Sequence, residues 1–177
     1  LHQKKLKYFG VCFGYQMLAR ALGGKVVQAR QGWMVGVKSV EVHSSQDWMS
    51  IDPRTNSEHV SASEGAIDLK VNVISSHQDQ VVSLPANGVP VASSKGCPYA
   101  MFVVGDSLAG IQGHPEFQTA YAQPLLESRR GLIADDIVDA GILSFGKALD
   151  SQVVARWVIQ FMKKKLLSPR SPRSPPS

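Results

Sequence analysis

The chain has 177 residues, 44% of them hydrophobic, which suits one domain with a single core and is short for two domains. Its net charge of +5 suggests nucleic acid as a partner, but residues 163–177 hold five of the 19 basic residues and no acidic one. Residues 1–162 contain the other 14 basic residues and all 14 acidic residues, so their formal charges cancel. This neutral body argues against a nucleic-acid-binding face.

Several further classes of protein lack their sequence signals here. No run of 18 apolar residues predicts a membrane span, and the charged start LHQKKLKYFG lacks the apolar core of a secretory signal. The chain contains neither CxxC nor HExxH, so no metal site is predicted. We therefore expect a cytoplasmic protein whose two cysteines, Cys12 and Cys97, are free thiols.

In chain order, the pattern begins with strands and one helix. The apolar and aromatic run KLKYFGV predicts a buried strand, and YQMLARAL predicts a helix that the following Gly-Gly pair ends. KVVQA and WMVGVKSVEVH predict two more strands. In the second of these, Trp33, Val35 and Val37 alternate with other residues, which is typical of a half-buried strand.

The middle of the chain is rich in short strands, and the end is helical. Five strand-like runs, KVNVISS, QVVSL, VPVASS, AMFVVG and LAGIQG, are separated in part by the turn sequences PANG and GDS. Helical patterns follow in QTAYAQPLLESRRG, IADDIVDAG and KALDSQVVARWVIQFMKKKLL. The last has an apolar face made by Val153, Val154, Trp157, Val158, Phe161 and Met162. This order predicts an open α/β sheet with an antiparallel extension.

Cys12 lies where the first strand turns into the first helix, in the sequence Gly10-Val11-Cys12-Phe13-Gly14. Glycines on both sides of a nucleophile allow the tight strand-to-helix turn of a nucleophile elbow. A helix N-terminus favours a thiolate, and backbone N–H groups there, including that of Phe13, suit an oxyanion. The alternative for Cys12 is a small buried hydrophobic residue.

A nucleophile of this kind needs a base, and His114 is the best candidate. It follows a strand in GIQGHPEF, and Pro115 favours the extended backbone that points Glu116 to the same side as His114. A carboxylate so placed can orient the imidazole. An isolated HxE sequence is weak evidence, but an elbow cysteine upstream strengthens it. Three other histidines are interpreted as terminal or surface residues: His2, His43 and His59.

The paired sequences GVCFGYQMLARALGG and GIQGHPEF resemble the class I glutamine amidotransferases, which carry G-x-C-x-G-x-Q and a later H-P-E. The resemblance covers most of residues 6–130. SSHQDQV and MFVVGDSLAGIQGHPEF are similar to stand-alone members, the γ-glutamyl peptidases and GMP-synthase-like amidotransferases. The resemblance implies a flavodoxin-like α/β fold with an open, mostly parallel sheet flanked by helices.

The resemblance also implies the site. Cys12 is then the nucleophile, His114 the base and Glu116 the orienting acid of a Cys-His-Glu amidohydrolase that needs neither cofactor nor metal. The substrate-binding residues it suggests are Gln16, Phe13, Gly10 and His77. Gln16 would hold the α-amino-acid end of the substrate, while His77 would edge the site or, equally, be a packed and hydrogen-bonded core residue.

Two departures from the family pattern stand out. Tyr15 occupies the position where the family commonly has histidine, and we expect it to tune activity rather than abolish it. Family members also begin with a strand-helix-strand region whose glycine-containing loop supplies an oxyanion donor, and this chain starts after it. The expectation is therefore an N-terminally truncated catalytic domain over residues 1–162, followed by a disordered, basic Ser/Pro/Arg-rich tail over residues 163–177.

Four functions remain open on the sequence alone. The first is a hydrolase that resembles class I amidotransferases and cleaves a γ-glutamyl amide through a cysteine thioester. The second is a γ-glutamyl peptidase acting on glutathione-like conjugates, and the third is an inactive fragment or pseudo-enzyme with a binding role. An α/β-hydrolase with an elbow cysteine fits worst, because its acid precedes the histidine. The expected partner is a small γ-glutamyl compound, not nucleic acid or membrane, and any partner synthase is unidentified.

Overall fold

Nine strands and four helices lie in residues 6–49, 60–63 and 66–165, the ranges that this computed structural model describes. The strands are β1 (Tyr8–Val11), β2 (Lys25–Gln28), β3 (Met34–Val42), β4 (Val60–Ser63), β5 (Ala66–His77), β6 (Asp79–Ser83), β7 (Gly88–Ser94), β8 (Cys97–Val104) and β9 (Leu108–Ile111). The helices are α1 (Phe13–Ala21), α2 (Thr119–Glu127), α3 (Asp135–Ser144) and α4 (Ser151–Lys163).

Seven strands form one mixed sheet in the order β1-β9-β8-β7-β3-β5-β4, and β2 pairs with β6 in a separate antiparallel ribbon. Within the described sheet, β1 and β9 are parallel, while the other five neighbouring pairs are antiparallel. The α/β fold with an antiparallel part is confirmed, but the expectation of a mostly parallel sheet does not hold for these residues. Parallel neighbours need long crossover connections, and the chain links the paired strands β7 to β8 and β8 to β9 by short turns.

Two helices cover opposite faces of the sheet around β1 and β9. On one face, Trp157 and Phe161 of α4 pack with Phe9 of β1, as the apolar pattern of this helix predicts. On the other face, Tyr15 and Leu18 of α1 pack with alternate residues of β8 and β9. The predicted apolar face of α4 is only partly buried, since Met162 remains 49% exposed.

The prediction that β3 is half-buried is wrong for its first residues. Val35 and its neighbour Met34 are both buried: Met34, on the face that the alternation assigned to solvent, lies in the core cluster that also contains Trp157 of α4, whereas Val35 packs against α3. The contact is close: a Cβ on Gly36 would lie 2.7 Å from the carbonyl oxygen of Gly141. Alternation of buried and exposed residues begins only in the second half of the strand.

Some of the residues about which the sequence makes predictions lie outside the described ranges. His2, His59 and most of the predicted tail, from residue 166, lie outside them. Lys163 ends α4, and Lys164 makes ion pairs with Asp47 and Asp106 at 2.8 and 3.4 Å. These two residues, at least, pack as part of the domain. None of the described helices has the length and apolar character needed to cross a membrane.

Candidate active site

Cys12 joins β1 to α1 in a strained backbone conformation. Its φ is 46° and its ψ −102°, which makes it the single non-glycine residue with positive φ in the described ranges. Such a conformation costs on the order of 1–3 kcal/mol. A Cβ on Gly10 would lie 2.6 Å from the backbone nitrogen of Tyr15, so the close approach of strand and helix requires glycine there. The turn has the shape of the predicted elbow.

The helix that follows presents backbone donors next to this thiol. Cys12 is the N-cap of α1, and no side chain caps that end of the helix. The first N–H groups of a helix have no partner inside it and carry the positive end of the helix dipole. The Phe13 N–H is the first of them, while the Phe13 side chain is 71% exposed. This end of α1 therefore suits a negatively charged atom.

His114 is held from several sides next to Cys12. Its backbone N–H donates to the Ile74 carbonyl oxygen at 2.7 Å, which ties the segment after β9 to β5. The Phe117 ring stacks on the imidazole with centroids 4.1 Å apart. His114 Nδ1 lies 2.7 Å from Glu116 Oε1, and since a carboxylate accepts, Nδ1 donates. The Cys12 side chain also acts on this imidazole, since it is among the groups that raise the pKa of His114.

The charges of these neighbours decide the protonation of His114. Burial on its own would lower the pKa of His114, but hydrogen bonds with the Cys12 and Glu116 side chains outweigh it and raise the pKa to about 9. Burial would raise the pKa of Glu116, but the hydrogen bond from His114 brings it below its usual value. Near neutral pH the site therefore favours an imidazolium next to a carboxylate.

Gln16 and His77, two of the predicted substrate-binding residues, are buried and hydrogen-bonded to the same backbone group. The Asp79 carbonyl oxygen accepts from Gln16 Nε2 at 2.7 Å and from His77 Nδ1 at 3.0 Å. His77 is 5% exposed, and burial lowers its pKa to about 4, so it is neutral at physiological pH. These contacts favour the packed interpretation of His77, and the substrate-binding roles of both residues stay predictions.

Gln112 is a site residue that the sequence analysis missed. It is 1% exposed, and its Nε2 lies 3.6 Å from Cys12 Sγ. Its Oε1 lies 3.3 Å from Gln16 Nε2. Gln112 stands two residues before His114, as Glu116 stands two after, so the spacing of an extended segment was the available signal.

Tyr15 lies in the core beside the elbow. The side chain is fully buried, its hydroxyl donates to the Tyr99 carbonyl oxygen at 2.6 Å, and its ring packs on Phe102 at 4.9 Å. Burial raises its pKa well above the usual range. The residue that replaces the family histidine thus anchors α1 to the sheet.

The second cysteine, Cys97, is the first residue of β8. Cys97 is 2% exposed, and burial raises its pKa to about 12. Both cysteines are free. A thiolate is therefore strongly disfavoured at Cys97.

Comparison with known proteins places the chain in a family. Residues 1–129 match the model of the family "Glutamine amidotransferase class-I", and the chain belongs to it. γ-Glutamyl peptidase 3 of Arabidopsis thaliana is 34% identical over 118 residues, which are 66% of this chain and 43% of that protein. A glutamine-hydrolyzing GMP synthase of Shewanella loihica is 30% identical over 89% of this chain and 33% of its own length. The chain thus spans less than half of these relatives.

Solved structures share the fold. A glutamine amidotransferase from Thermotoga maritima superposes with a TM-score of 0.69 at 19% identity, covering 92% of this chain and 65% of that one. A glutamine amidotransferase from Methylobacillus flagellatus superposes with a TM-score of 0.61 at 16% identity, covering 97% and 69%. At such identities the likeness establishes the fold and nothing finer.

Proposed function

We propose that the chain is a class I glutamine amidotransferase-like hydrolase that cleaves a γ-glutamyl amide through a thioester on Cys12. One observation carries the proposal: His114 Nδ1 lies 2.7 Å from Glu116 Oε1, and the Cys12 side chain is among the groups that raise the pKa of the same imidazole. A nucleophile, an acid-base group and an orienting carboxylate in this order are what covalent amide hydrolysis requires.

In this proposal the Cys12 thiolate attacks the γ-carbonyl carbon, and the resulting oxyanion forms beside the Phe13 N–H at the start of α1. His114 gives its proton to the departing nitrogen as the C–N bond breaks, which leaves a γ-glutamyl thioester and a free amine. His114 then takes a proton from water as the water attacks the thioester. Glutamate leaves, and the thiolate and imidazolium are restored. Glu116 acts on His114 rather than on the substrate.

The leaving group separates two forms of the proposal. With glutamine the amine is ammonia, whereas with glutathione-like conjugates it is the amine of the next residue. The likeness to a relative named γ-glutamyl peptidase, at 34% identity, favours the second form. In either form the substrate is a small γ-glutamyl compound, the reaction uses no cofactor, and we place it in the cytoplasm. Contacts of substrate with Gly10, Gln16 and His77 belong to the proposal.

The first prediction is that glutamate release depends on Cys12. The purified chain is incubated with glutamine or glutathione, glutamate is measured, and the acid-quenched protein is mapped by mass spectrometry. We expect a γ-glutamyl adduct on the Cys12 peptide and loss of nearly all activity in Cys12→Ala. Cys97→Ala is the matched control and should retain activity, because Cys97 is buried and burial disfavours its thiolate.

Two results would contradict the proposal. One is glutamate release by Cys12→Ala at the rate of the unchanged chain. The other is the absence of both glutamate and adduct with either substrate, which would favour a binding role instead.

A further inference from the structure

We propose that Gln112 is a positioning residue whose side-chain N–H donates to the Cys12 sulfur, stabilises the thiolate and aims it. This inference deepens the proposed function and rests on it for its meaning in catalysis. The hydrogen bond spans 3.6 Å from Gln112 Nε2 to Cys12 Sγ. A donor to the charged form of an acid stabilises that form over the neutral one.

The neighbouring contacts fix which end of the Gln112 amide faces the sulfur. The Asp79 carbonyl oxygen can only accept, so the Gln16 atom 2.7 Å from it must be the nitrogen. That nitrogen has a second hydrogen, which is given to the Gln112 atom 3.3 Å away, so this atom must be the oxygen. The Gln112 amide therefore has its nitrogen, the donor, toward Cys12.

Burial keeps the amide in this orientation. Gln112 is 1% exposed and its backbone N–H donates to the Ala100 carbonyl oxygen at 2.8 Å, so the side chain has no water to turn to. A buried amide that lost these partners would leave polar groups unsatisfied. The chain of bonds thus runs from the Asp79 carbonyl through Gln16 and Gln112 to Cys12. The same carbonyl holds His77.

The titratable groups around this thiol are His114, Glu116, which is hydrogen-bonded to His114, and His77, which interacts electrostatically with His114. These groups are kept unchanged in the variants below. A difference between variants then reports the Gln112 donor rather than the histidines.

The test measures the pKa of Cys12 in Gln112→Met, a change that keeps an unbranched side chain and removes the amide. The pKa is read from the pH dependence of iodoacetamide modification of the Cys12 peptide and from the ultraviolet absorbance of the thiolate. Loss of a hydrogen bond to a charged group should raise this pKa by about one unit. Modification at neutral pH should then be roughly tenfold slower.

Gln80→Met is the matched control. Gln80 is another buried glutamine, 5% exposed, and its Oε1 has no hydrogen-bond partner in the part of the chain that the structure describes. We expect this variant to titrate like the unchanged chain. Gln112→Leu is the second test variant, used if circular dichroism shows that Gln112→Met is unfolded. It removes the amide without placing a charge next to the sulfur, so the pKa of Cys12 should again rise.

A Cys12 pKa that is the same in the folded Gln112 variant and the unchanged chain would overturn the inference, as would an equal rise in Gln80→Met. Neither readout needs substrate turnover. A raised pKa in a protein that releases no glutamate would therefore support the role of Gln112 while the proposed function fails. An unchanged pKa of Cys12 in a folded Gln112 variant, together with glutamate release by the unchanged chain, would overturn this inference and leave the proposed function standing.

Discussion

At the scale of single residues, His114 is the group whose chemistry depends most on its surroundings. Two acidic side chains flank its ring, and together they overcome a burial that would otherwise keep it neutral. An imidazole with a pKa of about 9 remains protonated throughout the physiological range. Under the proposed mechanism this proton is the one that the departing amine receives, so activity depends on its presence.

The second prediction concerns pH. Because a raised pKa means that His114 loses its proton only as the pH rises through about 9, kcat/KM for glutamate release should fall there on the alkaline side. Glu116→Gln removes the negative charge that favours the imidazolium, and this fall should move to lower pH. Glu127→Gln, which changes a surface acid paired with Arg130, is the control and should leave the profile in place. An unshifted alkaline limb in Glu116→Gln would argue against this coupling.

Some residues of the candidate site can be predicted from the sequence, and others cannot. Cys12, His114 and Glu116 each belong to a short local pattern, an elbow or an extended HPE segment, and local patterns can be recognised without a structure. Gln112 was not predicted as a site residue, because its partners, Gln16 and Cys12, lie 96 and 100 residues away along the chain. Only the pairing of β1 with β9 brings them together.

At the scale of elements, the close contact of β1 with α1 sets the position of the thiol. The backbone atoms of Tyr15 and Gly14 would lie 2.6 and 2.7 Å from a Cβ on Gly10. Neither is the end of a flexible side chain, so an added methyl group can fit only if strand and helix move apart. The position of Cys12 would move with them.

The third prediction is that Gly10→Ala destabilises the fold by about 1–3 kcal/mol, the usual cost of overpacking, and slows modification of Cys12. Urea denaturation and iodoacetamide kinetics measure the two effects. Gly146→Ala is the control, because the only atom near a Cβ there is the Leu143 carbonyl oxygen at 3.7 Å. If Gly10→Ala and Gly146→Ala had the same free energy of unfolding and the same rate of Cys12 modification, the close approach of β1 and α1 would not require glycine at position 10.

The positions of the strands and helices follow the hydrophobic pattern closely, and each prediction that failed has a physical cause. The alternation in β3 predicted one exposed face, but Met34 on that face is buried in a core cluster with residues from distant parts of the chain, among them Trp157 of α4. β4 was not predicted, since VSAS has four residues of which three are small. The mostly parallel sheet was inferred from resemblance, whereas the short turn GDS, which joins β8 to β9, already favoured an antiparallel pair.

At the scale of the whole molecule, buried polar groups make the stability depend on pH. His77 lies at the end of β5, 5% exposed, with its Nδ1 donating to the Asp79 carbonyl oxygen. Burial lowers its pKa to about 4, so the folded protein resists a proton that the unfolded chain accepts near pH 6.5. The fold therefore loses stability as the pH falls from about 6.5 toward 4, and this loss is complete below about 4.

The fourth prediction follows from the size of that effect, which is about 3 kcal/mol for a group so buried. His77→Asn keeps a donor near the place of Nδ1 but cannot be protonated. Urea denaturation at pH 7 and at pH 4 should show a smaller loss of unfolding free energy in this variant than in the unchanged chain. Equal losses in the two proteins would mean that His77 does not contribute to acid sensitivity.

The four-residue ladder between β1 and β9 has a consequence for local opening of the fold. Val11 pairs with Ile111, and the Cys12 N–H continues the ladder to the Ile111 carbonyl oxygen at 2.9 Å, so the nucleophile and the Gln112–His114 segment begin at the same level. A slip of one residue would displace them by about 3.3 Å and break every contact of the sulfur. Local opening of this corner would therefore remove the surroundings of the thiol, and hydrogen exchange of the Cys12 amide, which is bonded to Ile111, would measure how often that happens.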